Sequence, residues 1–147
     1  MRLIRKRFHE LTTEELYQIL KLRAAVFVVE QNCPYQDPDD ADQAAIHVWL
    51  ENEEGIRAYL RVMDRGVESE YVSIGRVVAA DRRCGLGSRI LREGILAAKD
   101  YFRADQVYLE AQTYARGLYD RQGFRQISEE FLLDGIPHIK MLLDVLS

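Results

Sequence analysis

The stretch Arg82–Leu91, RRCGLGSRIL, sets two glycines one residue apart, behind a pair of arginines and ahead of a helical pattern of apolar residues. Glycines at such a junction let the backbone approach a ligand closely. The first turn of the following helix adds unpaired amides and the positive end of its dipole. Together these make a phosphate site. A nucleoside triphosphate loop needs Lys and then Ser or Thr after its last glycine, but Ser88-Arg89 follows here. The dinucleotide fingerprint needs a third glycine where Ile90 stands. A third form, Arg/Gln-x-x-Gly-x-Gly/Ala, is filled by Arg82, Gly85 and Gly87. The amides of Arg83, Cys84, Gly85, Leu86, Gly87 and Ser88 would then cradle a pyrophosphate.

The elements that must hold this loop read as follows. RLIRKRF near the N-terminus is a short strand. TTEELYQILKLRAAVFVVEQ opens with a Thr-x-x-Glu capping box at Thr12 and Glu15, then repeats apolar residues at Leu16, Ile19, Leu20 and Ala24. NCPYQDPDDADQA is a polar loop. IHVWLEN, GIRAYLRVM and YVSIGRVVAA are strand-like, and a helix period follows through Leu86, Ile90, Leu91, Ile95 and Ala98. QVYLEAQ is a buried strand, YARGLYDRQGF a short helix closed by Gly123, and FRQISEEFLLDG with PHIKMLLDVL a pair of strands around Asp134-Gly135. The order predicts one α+β sheet domain over 1–147.

With 147 residues, 48% apolar and 30% charged, the chain is expected to bury its own core without metal or disulfide staples. No apolar run approaches a bilayer span, and no apolar segment follows the basic N-terminus as in a secretory leader. Cys33 and Cys84 sit in unrelated contexts, so a cytoplasmic location is expected. A net charge of −4 argues against nucleic acid as partner and favours cationic small molecules. DPDDADQAAIHV has Ala41, Asp42 and Val48 where a calcium loop needs a ligand, glycine and glutamate, and the three histidines lack metal spacing. No metal is expected. Neither cysteine has a neighbouring histidine, so a covalent thiol mechanism is not expected.

GLYDRQGF resembles the second half of the acyl-coenzyme A core of the GNAT superfamily of N-acetyltransferases, where Tyr-x-x-x-Gly-Phe closes a short helix after a strand. Arg82-x-x-Gly85-x-Gly87 and Tyr119-x-x-x-Gly123-Phe124 stand in the right order with VYLEAQ between them. VFVVEQNCPYQDPD and DGIPHIKM resemble signatures of the ElaA-like subfamily. The resemblance covers the whole chain. It implies a three-layer fold with a mixed, mostly antiparallel sheet flanked by helices, acetyl-coenzyme A as co-substrate, and a small-molecule or peptide amine as acceptor. It implies that backbone near Val77, Val78 and Ala79 receives the acyl carbonyl and pantetheine arm. RVVAADR is about two residues shorter than is usual there. It also implies Tyr119 as general acid, its hydroxyl of ordinary pKa ~10 suited to a leaving thiolate near ~8.5.

For the base that takes the amine proton, Glu30, Glu110, His47 and His138 are the candidates, with Glu30 and His138 first. The acidic run around Asp37, Asp39, Asp40 and Asp42 reads as a solvated loop, with the alternative that these carboxylates rim the acceptor entrance and attract a cationic amine. Arg82, Arg83, Arg89 and Arg92 suit a polyphosphate cofactor. The expected activity is acetyl transfer to a primary amine by direct attack in a ternary complex. The rival is an acyl-coenzyme A-binding sensor without transfer. A homodimer through sheet edges or the C-terminal strands is compatible with the resemblance.

Overall fold

The computed structural model describes residues 1–81 and 84–145. RLIRKR forms β1 (Arg2–Arg7), and the expected capping box then starts α1 (Thr13–Arg23). Thr12 Oγ1 accepts the Glu15 amide at 3.0 Å while the Glu15 carboxylate accepts the Thr12 amide at 2.9 Å. The helix does not continue in α form as its periodicity predicts. It widens over Ala24–Glu30 into a π-helical stretch, where the Gln31 amide reaches Val26 O at 3.2 Å.

After α2 (Ala41–Ala44) come β2 (Ile46–Asn52), β3 (Gly55–Met63) and β4 (Val72–Ala79). α3 (Leu86–Phe102) and β5 (Gln106–Gln112) follow, then α4 (Arg116–Asp120), which Gly123 closes at φ +98°. The segment read as one strand before Asp134 is two pieces, β6 (Arg125–Gln126) and β7 (Phe131–Leu133), both pairing with β8 (Ile136–Asp144). Asp134 and Gly135 both have positive φ, the backbone of a tight hairpin turn.

Among the described residues, eight strands form one sheet in the order β1-β2-β3-β4-β5-β8, with β6 and β7 both on β8. Every pair is antiparallel except β4 with β5. α3 covers one face: Leu86, Ile90, Leu91, Ala97 and Ala98 pack on Leu60, Val62, Ile74, Val107 and Leu109. α1 covers part of the other, with Ile19 against Trp49, Tyr59 and Val78. No helix among the described residues is long and apolar enough to cross a membrane.

Gly94 sets how closely α3 approaches the sheet. A Cβ there would meet Leu60 Cδ2 at 2.7 Å and Ile74 Cδ1 at 3.3 Å, both in the buried core. Gly94→Val therefore overpacks this seam, and denaturant unfolding is expected to show a loss of about 1–3 kcal/mol. An unchanged midpoint would mean that the helix shifts outward without loss.

Candidate active site

β4 and β5 lie side by side at Val72↔Val107 and Ser73↔Tyr108. Beyond those pairs no ladder joins them among the described residues, so the sheet parts toward their C-terminal ends. β4 also bulges. Opposite Tyr59 and Arg61 of β3 stand Val78 and Gly75, so three steps on β4 face two on β3. Val72 and Ile74 face α3 before the bulge, and Val77 and Ala79 face it afterwards. One extra residue has reversed the alternation. Arg76 takes it up in the left-handed region at φ +54°. The bulge is therefore present in spite of the short RVVAADR stretch.

The parting opens into a cleft of about 430 Å³. At one end lie Gly85, Gly87 and Ser88, with Arg121. Gly85 caps α3 at φ +74° and has no side chain to bond the helix amides. The first turn-closing bond is Arg89 N–H to Gly85 O, which leaves the amides of Leu86, Gly87 and Ser88 directed out of the helix. A polyphosphate fits this cradle. Arg82 and Arg83, expected in the same loop, lie outside the described residues. Leu86 is buried under the helix, and Cys84 is exposed, its thiol near Asp81 O at 3.5 Å. Val77, Val78 and Ala79 line the cleft wall along β4.

Tyr119 reaches the cleft from α4, edge-on to Phe124 with ring centroids 6.0 Å apart. Burial, and then the neighbouring Tyr114, push its hydroxyl well above the ordinary tyrosine range, so it stays protonated. His138 lines the opposite half of the cleft from β8. Its Nδ1 lies 2.7 Å from Ile136 O. A carbonyl only accepts, so Nδ1 carries the proton and Nε2 keeps the basic lone pair of the neutral ring. Glu110 is exposed but also lines this half, accepting the Tyr108 hydroxyl at 2.9 Å.

Two other candidates lie elsewhere. Glu30 is exposed at the end of the π-helical stretch, outside the cleft lining. His47 is fully buried away from the cleft lining, 2.7 Å from Tyr59 Oη through Nδ1 and 2.8 Å from Asp42 O through Nε2. Burial, with the charges of Arg23 and Arg61, holds its pKa below the ordinary histidine value.

Of the four aspartates in the acidic loop, Asp39 and Asp40 are exposed as expected, but Asp37 and Asp42 are buried in an ion network that Asp39 joins from its exposed side. Asp42 bonds Arg23 at 2.7 Å and Arg61 at 2.8 Å. Asp37 bonds Arg23 and Arg76, each at 2.9 Å, and Asp39 binds Arg61. Burial alone would raise the Asp42 carboxyl, but the two guanidinium groups outweigh it and hold it below the usual range. Arg23, Arg61 and Arg76 were not singled out as site residues from sequence. The signal available was position: Arg61 shares a strand face with Tyr59 and Met63, where a charge must be buried. The network ties the 31–40 loop and α2 to β3 and to the bulge, and so fixes that wall of the cleft.

The profile of the acetyltransferase (GNAT) domain matches residues 11–145. Protein ElaA of Escherichia coli is 37% identical over 144 residues, covering 94% of this chain and 93% of its own. The crystal structure of E. coli ElaA superposes with a TM-score of 0.90 at 34% identity, over 97% of this chain and 99% of that one. An acyl-CoA N-acyltransferase from Pseudomonas aeruginosa superposes with a TM-score of 0.90 at 38% identity and the same coverage.

Removing one partner of a buried ion network leaves the others uncompensated. Asp42→Ala is expected to lose about 3–5 kcal/mol of stability in urea unfolding. His47 adds a pH dependence whose sign follows from its lowered pKa. The unfolded chain binds the proton that the buried ring does not, so the stability is full above about pH 6.5 and declines as the pH falls below it. Urea midpoints at pH 7.5 and 5 should differ in the wild type and differ far less in His47→Gln.

Proposed function

Because the chain belongs to the GNAT acetyltransferase family and its ElaA-like subfamily, we propose that it transfers an acetyl group from acetyl-coenzyme A to a primary amine, within one domain over 1–147. The observation that carries this reading is the junction of an uncapped helix N-terminus at Gly85–Ser88 with a slot between two parting strands. Amides of Leu86, Gly87 and Ser88 would hold the pyrophosphate. Backbone of Val77–Ala79 beside the bulge would take the pantetheine arm and the acyl carbonyl. Bound there, the co-substrate supplies an acetyl group activated as a thioester.

The chain's own residues move the protons. His138 Nε2 is the basic nitrogen in the acceptor half, fixed in tautomer by Ile136 O, and removes a proton from the incoming ammonium. The protonated Tyr119 hydroxyl, in the cleft wall nearer the phosphate end, gives its proton to the departing sulfur. Residues on the α3-distant face of β5 and β8, among them Glu110 and His138, present the amine. The acceptor is a small molecule or a peptide.

Two measurements test this. Acetyl-coenzyme A should raise the unfolding temperature of the wild type, since a ligand bound only to the folded state stabilises it. Gly87→Glu, which places a carboxylate on the phosphate cradle, should abolish that rise without lowering the unliganded midpoint by more than a few degrees. Tyr119→Phe should reduce kcat with amines by about 10²–10⁴ while the KM for acetyl-coenzyme A stays within a few-fold. A thermal shift with no turnover across amines would favour the sensor reading. No shift at millimolar cofactor would remove both.

A further inference from the structure

Among the described residues three buried side-chain polar atoms have no hydrogen-bond partner: Arg5 Nε, Arg61 Nε and Ser73 Oγ. Arg5 lies on β1, away from the cleft, but Arg61 and Ser73 both line it. Both are almost fully buried, at 1% and 3% exposure. They meet around one glycine. Gly75 stands opposite Arg61 across the β3–β4 ladder and shares a strand face with Ser73. A Cβ on Gly75 would sit 3.7 Å from Arg61 Nε and 3.6 Å from Met63 Cε. Glycine therefore keeps a space at the floor of the cleft, just where β4 leaves β5. A flexible methionine borders that space.

The chemistry of the two atoms restricts what fills it. Arg61 Nε–H can only donate, and the Ser73 hydroxyl can donate or accept, so both can engage one oxygen. The rest of the Arg61 guanidinium is already engaged by three carboxylates. Nη1 bonds Asp39 at 2.6 Å and Asp42 at 2.8 Å, and Nη2 bonds Asp39 and Glu68, each at 3.0 Å. With Arg23 and Arg76, which share these carboxylates, the cluster holds four carboxylates to three guanidinium groups, so a further anion would enter a site already net negative. The oxygen must then be neutral. Glu110 and Asp134 line the same half of the cleft and favour an ammonium nearby.

Resting on the transfer reading above, we infer that the acceptor is a primary amine bearing a neutral oxygen, a hydroxyl or an amide carbonyl, a few bonds from its nitrogen. Ser73 and Arg61 hold that oxygen at the floor beside Gly75. Amino alcohols, amino sugars and peptide N-termini carry this grouping. Simple alkylamines lack it, and free amino acids replace it with a carboxylate.

The test uses matched acceptors: ethanolamine against propylamine, and glycinamide against glycine. In wild type, kcat/KM should be about 10- to 100-fold higher for the first member of each pair, as expected when a built polar site is left unpaired by the poorer ligand. Ser73→Ala should bring the ethanolamine-to-propylamine ratio to within about threefold while the KM for acetyl-coenzyme A holds. Gly75→Ala, at a position without positive φ, fills the space and should lower the same ratio.

Binding of the four amines to protein saturated with coenzyme A, followed by calorimetry, separates this subsite from the reaction. Tighter binding of ethanolamine that Ser73→Ala removes supports the subsite even if no amine turns over, in which case only the transfer reading fails. Equal binding or no binding of ethanolamine and propylamine, or a preference that survives Ser73→Ala, overturns the subsite. Turnover without preference overturns it and leaves transfer standing. Glycine matching glycinamide overturns the restriction to a neutral oxygen.

Discussion

The meeting of β4 and β5 is the constraint on which the rest of the molecule depends. They are the only parallel neighbours in the described sheet, and their ladder holds at two residue pairs. A β-sheet left unpaired in its middle exposes backbone donors and acceptors that want partners. The bulge at Arg76 turns β4 away from β5, and α3 and α4 close the slot from one side. The cleft is thus a designed break in an otherwise continuous sheet, and the residues that line it are there because the ladder is not.

Side-chain ion pairs take over where backbone pairing stops. The 31–40 loop has little regular structure, yet its Asp37 is 3% exposed, and Asp42 in the first turn of α2 is 5% exposed. Each carboxylate receives guanidinium groups from separate elements: Arg23 at the end of α1, Arg61 on β3 and Arg76 at the bulge. Burying charge without partners is far costlier than leaving it in water. The network satisfies its members mutually, and that is why it fixes the loop rather than merely decorating it. Arg76 stands in a left-handed backbone that ordinarily disfavours any residue with a Cβ. Its guanidinium lies 5.5 Å from the Tyr35 ring centroid and bonds both the carboxylate and the main-chain carbonyl of Asp37.

Local signals carried over well from sequence to structure. The Thr12–Glu15 capping box, the 3.6 period of α3 and the positive-φ glycines at 85, 123 and 135 each encode their conformation within a few residues. Signals that depend on distant partners did not. The widening of α1 into a π-helical stretch has no period of its own, and the splitting of the strand before Asp134 depends on what β8 offers at each position. His47 read as a candidate base because its partners, Asp42 and Tyr59, are brought together only by the fold. The acidic loop read as solvated for the same reason: nothing local says that three arginines from other elements converge on it. In the cleft, the glycine loop and Tyr119 were legible as motifs, whereas Ser73 became visible only through the hydrogen bond it does not make.

The split sheet also has a mechanical consequence. The strands β1–β4 form one stiff plate and β5–β8 another, and between them run two ladder pairs and the helices packed beneath. Gly87 on α3 rests against Leu118 on α4, its Cβ position 3.5 Å from Leu118 Cδ2, so the two plates touch again near the mouth of the slot. One core under both plates, from Leu60 and Ile74 to Leu109 and Met141, holds them together on the α3 side, so the slot is least braced on its open side, like a board hinged along one edge. Whatever lies in the slot with hydrogen bonds to both plates acts as a cross-brace. Filling the slot would therefore add a brace on the side that the shared core does not reach.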